Sequence, residues 1–271
     1  MRFLNRYPGR GGRVLLALLP LLLLVLVYGT TSTLRLADNP ADRLLPSLAQ
    51  MGEAVGRLGF TEDPRSGEYL LWRDTGASLL RLGLGLAIAA AASLVLGIAA
   101  GVFPLLRAPL SPLLAVLSMV PPLAILPILF IVFGLAELSK VMLIVIGITP
   151  CLARDLEQRA REIPAELLIK AQTLGANSWT LVLRVVLPQL LARLLVSLRL
   201  MLGSAWLFLI SAEAISATEG LGYRIFLVRR YMAMDVILPY VLWITLLAWL
   251  MDWGLRLLHR RLFPWSEGAR P

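Results

Sequence analysis

The residue types that perform chemistry are few in this sequence, and they stand apart from one another. There is one cysteine, Cys151, and one histidine, His259. A disulfide needs two cysteines, and a structural zinc site needs four nitrogen or sulfur ligands. A catalytic histidine needs an acid or a nucleophile beside it, whereas His259 is followed by Arg260 and Arg261. The sequence therefore predicts no catalytic residue and no metal site.

A nucleotide-binding loop is also missing from the sequence. The pattern GxxxxGK(S/T) does not occur, and neither Lys140 nor Lys170 follows a glycine. The glycines of residues 9–12 precede an apolar run instead of following a strand, so they do not form a phosphate loop. We therefore expect no cofactor in this chain, and any ATP and magnesium would be bound by a partner.

The elements that must position the remaining polar residues are apolar. Of 271 residues, 58% are hydrophobic and 16% charged, with a mean hydropathy of +0.79. Soluble domains average about 45–50% apolar and about 25% charged residues. The net charge of +9 would suggest nucleic acid in a soluble protein, but here the arginines lie largely between apolar runs. The composition predicts a membrane protein that contacts the lipid bilayer and no nucleic acid.

Six stretches approach or reach the roughly 20 apolar residues that cross a bilayer. They are residues 14–28, 79–103, 113–133, 138–153, 190–212 and 236–258. Backbone polar groups in lipid must bond within their own segment, so these stretches are helices. The prediction is an all-α, polytopic membrane protein with about six transmembrane helices. The first stretch follows four arginines and can also be interpreted as a cleaved signal peptide; an uncleaved helix is favoured because no clear A-x-A site follows.

The distribution of arginines predicts the orientation. Arg2, Arg6 and Arg270 lie in basic termini, and the segment 154–193 is also basic, whereas residues 31–77 hold five arginines against seven acids. Because positive loops stay in the cytoplasm, both termini and residues 154–193 are expected there. Residues 46–60 have apolar side chains at helical spacing and predict an amphipathic helix outside.

This gives four predicted parts. They are an N-terminal helix with its basic tail (1–30), a periplasmic loop (31–77), a core (78–258) and a basic cytoplasmic tail (259–271).

Within the core, residues 160–188, the two-helix segment, have an ordered pattern despite lying between spans. Pro164 can open a helix that Gly175 ends, since glycine tolerates a positive φ. Asn177 or Ser178 can cap a second short helix at residues 179–187, and Pro188 would mark re-entry into the fifth span. Two short helices exposed to the cytoplasm form a projection that suits docking into a groove on a soluble partner.

These residues resemble the EAA loop of ABC-importer permeases, which has the form E-A-A, three residues, G, nine residues, I-x-L-P. Ala171, Gly175, Leu187 and Pro188 match at that spacing, and Val185 replaces the isoleucine. The glutamate of the motif is absent: Ile169 and Lys170 stand at its first two positions, and Glu166 precedes them by three residues. Whether Glu166 takes the missing role stays open at this point.

The resemblance extends over roughly residues 75–265 and is greatest to the nitrate/sulfonate/taurine branch. It rests on residues 78–101, 120–127, 133–140, 198–206 and 260–265. It implies a permease in the bacterial inner membrane that pairs with a second permease copy and works with two cytoplasmic ABC ATPases and a periplasmic solute-binding protein. A homodimer is favoured, and one sequence leaves a heterodimer open. In this reading Glu166, Lys170, Ala171, Gly175, Val185, Leu187 and Pro188 form the ATPase-coupling loop. The solute would be small and polar, such as nitrate, a sulfonate or taurine, or a nitrogen compound such as urea or guanidine.

The translocation pathway is predicted from irregular backbone and from charges inside spans. Pro121 and Pro122 remove backbone donors in the third span, which frees carbonyl groups and kinks the helix. Charged residues at membrane depth are costly and tend to be functional or paired. The predicted pathway residues are Ser118, Met119, Pro121, Pro122, Arg199 and Glu213.

Two other classes of membrane protein fit this sequence less well than the importer. A secondary transporter driven by an ion gradient needs paired intramembrane acids, and the span interiors hold almost none. A membrane-embedded enzyme needs a cluster of histidine, cysteine or acidic residues at membrane depth, and Cys151 and His259 do not supply one. An ATP-driven importer is therefore favoured.

Overall fold

The structure is a computed structural model that describes residues 9–39, 42–64 and 67–266. Arg2, Arg6 and Arg270, on which the orientation partly depends, lie outside the described residues. The regular structure of the described parts is all helical, with eleven α-helices and no strand. Their bounds are α1 Arg10–Asp38, α2 Leu48–Phe60, α3 Leu70–Val102, α4 Pro104–Leu117, α5 Leu126–Phe133, α6 Glu137–Arg161, α7 Ala165–Thr173, α8 Ser178–Leu181, α9 Leu187–Ser216, α10 Leu221–Arg229 and α11 Met234–Leu262.

The chain divides into two compact units, and the first comprises Met1–Tyr69 and Val228–Tyr240. In it, the Tyr28 hydroxyl donates to the carbonyl of Pro46 at 2.7 Å, which holds the connection after α1 against that helix. The predicted amphipathic helix is confirmed as α2. The Ser47 hydroxyl accepts from the amide of Gln50, and the side-chain oxygen of Gln50 accepts from the amide of Ser47, so the two residues satisfy each other's backbone amides.

The second unit comprises Leu70–Leu227 and Val241–Pro271, and its core is the packing of α6 against α3 and α9. A stripe of small residues, one every fourth position, runs along α3 and lets α6 approach: Gly85, Ala89, Ser93, Gly97 and Gly101. A Cβ atom at Gly97 would lie 2.6 Å from the Cβ of Leu156. Close approach of this kind is how helices pack in lipid, where burial of apolar surface supplies little driving force.

Among the residues that the structure describes, four helices are long and apolar enough to cross a membrane, and α4 with residues 122–133 forms a fifth if the bent pair is one span. The sequence predicted about six. The difference is the stretch 138–153, which is helical but lies in α6 between Lys140 and Arg154. The apolar run between those two charges is 13 residues, shorter than a span of about 20 requires. α6 as a whole is nevertheless 25 residues, about 37 Å long, and half of it is buried in the core, including Leu143, Ile144 and Leu152. It can therefore serve as the sixth span with its polar residues shielded from lipid.

Candidate functional site

The first helix of the two-helix segment forms where the sequence predicted it. α7 begins after Pro164 and ends in a Schellman motif: the amide of Ala176 donates to the carbonyl of Ala171 at 3.0 Å, and the amide of Gly175 donates to that of Gln172 at 2.9 Å. Gly175 has φ +84°, a conformation that is costly for residues with a Cβ. The glycine therefore fixes the angle at which the chain leaves α7.

The second half of the segment differs from the prediction of a separate helix at residues 179–187. Asn177 caps α8 by accepting from the amide of Thr180 at 2.7 Å. From there the chain stays helical for 39 residues, to Ser216. A π turn over Val182–Val186 leads directly into α9, whose second residue is Pro188. The wider π turn accommodates a proline ring that would clash with the preceding turn of a regular α-helix.

The two-helix segment presents apolar side chains that nothing in the described chain covers. None of the nine residues of α7, all of them described, is buried. Leu174 is 88% exposed and Trp179 is 68% exposed, on either side of Gly175. Contiguous exposed apolar residues rimmed by polar ones are typical of protein–protein contact sites. Of the predicted coupling residues, Glu166 and Lys170 are exposed on α7 and Ala171 is half-buried, while the half-buried Val185, Leu187 and Pro188 form the junction with α9.

An ion pair connects α6 and α9, the helices on either side of the two-helix segment. Arg193 on α9 donates through Nε to Asp155 on α6 at 2.9 Å, and Ser197 donates to the same carboxylate. Burial raises the pKa of Asp155 by desolvation, but the hydrogen bonds from Arg193 and Ser197 outweigh it, so its pKa lies below the usual value. The carboxylate is therefore ionised at neutral pH and ties α6 to α9.

The predicted kink in the third span is a complete break. α4 ends before Ser118, and the helical stretch that resumes at Pro122 is bent from it by 86°. Ser118 donates to the carbonyl of Ala115 and accepts from Arg154 at 2.8 Å. Met119 is 77% exposed and Pro121 is exposed, whereas Pro122 is half-buried at the start of a 3-10 turn. The structure thus brings irregular backbone and an exposed side chain together, and their place in a pathway stays a prediction.

Arg199, the first predicted charge of the pathway, is bound inside the second unit. It donates through Nε and Nη2 to Asp252 on α11, at 2.8 and 3.3 Å. Arg256 donates to the same carboxylate at 2.8 Å. Asp252 therefore links α9 to α11.

Glu213, the second predicted charge, has no exposed surface in this structure, so it does not line a pathway here. Its carboxylate accepts from the hydroxyl of Ser78 at 2.8 Å, from Nη1 of Arg81 at 2.7 Å and from the amide of Gly222 at 2.9 Å. Arg81 is itself only 2% exposed and also binds Glu137 at the start of α6. The pair therefore joins three helices: α3, α6 and α9.

The turn before α10 is held by the same polar residues. The amide of Gly220 donates to Asp74 at 3.0 Å, and the amide of Leu221 donates to Ser78 at 2.9 Å. Asp74 also pairs with Arg224 at 2.8 Å. Three successive amides are thus satisfied by buried side chains, as backbone donors at a helix start require.

We call Asp74, Ser78, Arg81, Glu137 and Glu213 the Arg81 cluster. Sequence reasoning named only Glu213 from it. Arg81 could have revealed the cluster, because it is a charged residue within the apolar run of residues 79–103. A positive charge at membrane depth needs a carboxylate partner. No group of three or more potential metal ligands occurs among the described residues.

Comparison with known proteins agrees with this architecture. Residues 93–264 match the family described as binding-protein-dependent transport system inner membrane component. The taurine transport system permease protein TauC of Escherichia coli (strain K12) is 34% identical, with 93% of this chain and 90% of TauC covered. The putative aliphatic sulfonates transport permease protein SsuC of Bacillus subtilis (strain 168) is 32% identical, with 78% and 75% covered. The bicarbonate transport system permease protein CmpB of Synechococcus elongatus is 34% identical, with 69% and 70% covered.

A solved structure shares the fold. A chain of the MetNI methionine ABC transporter in an inward-facing conformation superposes with a TM-score of 0.57 at 18% identity, covering 71% of this chain and 94% of that one. The sequence relatives are transporter permeases, and the ATPase of such systems is a separate subunit, so the ion-gradient transporter is not favoured. The chain belongs to the binding-protein-dependent transport system inner membrane components and is a permease subunit of an ABC importer.

Proposed function

We propose that this permease carries a small polar solute of the taurine or sulfonate type, as a homodimer driven by two ABC ATPases that dock on the two-helix segment. Taurine and aliphatic sulfonates are named for two of the relatives, and the first of these covers 93% of the chain. A periplasmic binding protein delivers the solute to the outer side. The ATPases supply the ATP and magnesium chemistry for which this sequence has no loop.

The observation that carries the docking proposal is the exposure of the two-helix segment. A helix with no buried residue, next to a leucine that is 88% exposed, leaves apolar side chains uncovered and suits a groove on a partner. The segment enters α9 without a break, so force applied to it reaches the membrane-spanning helix. ATP-driven closure of the ATPases would move the segment and switch the pathway between inward- and outward-facing states.

This docking fixes the orientation that we propose. The two-helix segment and both termini face the cytoplasm, and the Arg81 cluster lies toward the periplasm. The basic residues Arg154, Arg159 and Arg161 at the end of α6 support the assignment, because positive charge near span ends favours the cytoplasmic side.

The experiment is an ATPase assay on the permease co-expressed with its ATPase in lipid nanodiscs, with and without liganded binding protein. Leu174→Ala removes contact surface without touching the core, and should weaken ATPase association at least tenfold, since a buried leucine contributes about 1.5–3 kcal/mol. Gly175→Pro removes the amide that bonds Gln172 and forbids φ +84°, and should uncouple ATP hydrolysis from transport while the protein still inserts.

The matched control is Leu24→Ala, the same change at a leucine that is 65% exposed on α1. It should leave ATPase association within twofold of wild type. Equal association for Leu174→Ala and wild type would contradict docking at this segment. The solute whose binding protein stimulates hydrolysis identifies the substrate, and stimulation by neither taurine nor a sulfonate would contradict the proposed solute class.

A further inference from the structure

A cavity of about 680 Å³ lies in the second unit, where α6, α9 and the end of α11 come together. Its lining is basic: it holds four arginines and a histidine, and none of its lining residues is a carboxylate. These residues, with the tryptophan at the edge, are Arg159, Arg193, Arg199, His259, Arg260 and Trp265. We call this the basic cavity. Nothing in the import mechanism above uses it.

Two of its arginines are held in fixed orientations by carboxylates that lie outside the lining. Arg193 binds Asp155, and Arg199 binds Asp252, each through Nε and Nη2. A guanidinium group has five N–H donors in a planar fork, so the Nη1 nitrogen of each arginine stays outside its pair. The carboxylates therefore orient the guanidinium groups without occupying all of their donors.

The other two lining arginines are Arg159 on α6 and Arg260 on α11, and the chain after α11 also contributes to the lining. Arg159 pairs with Glu162 at 3.2 Å while 49% of its side chain stays exposed. The chain folds back after Leu262: Ser266 lies 3.2 Å from Nε2 of His259. This places the ring of Trp265, 55% exposed, at the edge of the cavity.

The basic cavity begins at the ends of the spans and reaches inward along α9 from Gln189 to Arg199. Gln189 immediately precedes the predicted fifth span, and His259 lies in the last turn of α11. Lining residues at these span ends lie at the depth of lipid headgroups, where tryptophan is enriched. Leu258 directly precedes His259 in the sequence, and Leu262 follows it by three residues; the two leucines are 43% and 57% exposed on α11 and offer apolar surface to acyl chains.

We propose that the basic cavity binds the phosphate of an anionic phospholipid headgroup from the surrounding bilayer. Arginine forks match phosphate oxygens, and such bonds between charged groups are about twice as strong as neutral ones. Basic pockets between transmembrane helices are sites of this kind for acidic lipids. A lipid bound there contacts α6, α9 and α11 together and stabilises their arrangement beside the two-helix segment.

The test measures lipid binding to the delipidated full chain in detergent by native mass spectrometry, so it does not depend on coupling or solute. Phosphatidylglycerol should bind one to one and at least fivefold more tightly than zwitterionic phosphatidylcholine. Arg260→Gln and Arg159→Gln should each weaken phosphatidylglycerol binding about fivefold, which is about 1 kcal/mol. Inorganic phosphate at 10 mM should not displace the lipid, because it lacks the acyl chains.

The matched control is Arg261→Gln, which removes the same charge from the next residue, outside the lining. It should change phosphatidylglycerol binding less than twofold. If Arg261→Gln and Arg260→Gln weakened phosphatidylglycerol binding equally, the lipid would be held by general attraction to the basic surface and the proposal would be overturned. Equal affinity of the wild type for the two lipids, a measurement that needs no variant, would also overturn it. Displacement by millimolar phosphate would assign the cavity to a free anion instead.

Discussion

Replacing Glu213 by glutamine should destabilise the permease strongly, because its carboxylate is the centre of the Arg81 cluster. The side chain has no exposed surface and accepts hydrogen bonds from Ser78, Arg81 and Gly222. Glutamine has one acceptor oxygen in place of two, and its NH₂ group would face donors. The change therefore removes the charge opposite Arg81 and leaves at least one buried donor without an acceptor.

The size of the effect follows from the burial of the pair. Removing one partner of a buried ion pair costs about 3–5 kcal/mol. The lower end applies here, since Arg81 keeps Glu137 and glutamine keeps one acceptor, so we expect about 3 kcal/mol. At about 2–4 °C per kcal/mol, this lowers the unfolding temperature by about 6–12 °C.

The assay uses the single cysteine as its reporter. Cys151 is half-buried in α6, so a thiol-reactive fluorophore labels it as the helices separate on heating. Unfolding of a membrane protein in detergent is often irreversible, so all variants are heated at one rate and their apparent midpoints compared.

Glu162→Gln is the matched control for Glu213→Gln. It makes the same chemical change in an ion pair whose two side chains are both exposed, Arg159 at 49% and Glu162 at 48%. Exposed ion pairs contribute at most about 1 kcal/mol, so its midpoint should fall by no more than about 2–4 °C. Equal midpoints for the two variants, or a wild-type midpoint for Glu213→Gln, would refute the reasoning. If Glu213→Gln left the midpoint unchanged but altered transport, Glu213 would instead be a residue of the translocation pathway, as the sequence predicted.

Two further predictions concern the packing and the acid sensitivity of the second unit. Gly97→Val should destabilise the protein by about 1–3 kcal/mol and lower the midpoint by several degrees, because even a Cβ there lies 2.6 Å from that of Leu156. Gly83→Val on the same helix is the control, since a Cβ there meets nothing within 4 Å. An equal loss for the two variants would contradict the close packing of α3 against α6. The depressed pKa of Asp155 means that its pair with Arg193 stabilises the protein above the unfolded pKa of about 4 and is lost as pH falls through the folded pKa. The midpoint of the wild type should therefore fall more steeply than that of Asp155→Asn as pH is lowered below about 4, and parallel profiles would show that the pair contributes nothing.

Local chemistry explains which parts of the structure were predictable. α7 follows from helix formers bounded by Pro164 and Gly175, and α2 follows from the spacing of its apolar residues. The break near Pro121 follows from the missing backbone donors of proline. Each of these depends on residues within one or two turns of one another, so the sequence alone carries the information.

The pairings between helices depend on contacts that sequence order does not reveal. Arg81 and Glu213 are 132 positions apart, and several other acids were available as partners for the arginine. Because an unpaired charge at membrane depth is costly in free energy, Arg81 and Glu213 can each be expected to have a partner. Only the tertiary packing determines which partner that is. The continuous helix from Ser178 to Ser216 was missed for another reason: Pro188 ordinarily ends a helix, and no residue pattern announces the π turn that accommodates it.

Because that helix is continuous, it connects the two-helix segment directly with the Arg81 cluster. A helix of 39 residues is about 58 Å long, at 1.5 Å per residue. Asn177 caps one end, beside the exposed residues of the two-helix segment, and Glu213 lies near the other end, pinned to α3. In the docking that we propose, a force on the Asn177 end is opposed where Glu213 is held, so the helix would tilt about Glu213 and each residue would move in proportion to its distance from it. The position of Glu213 along the helix would then set how far the middle of the helix moves during transport.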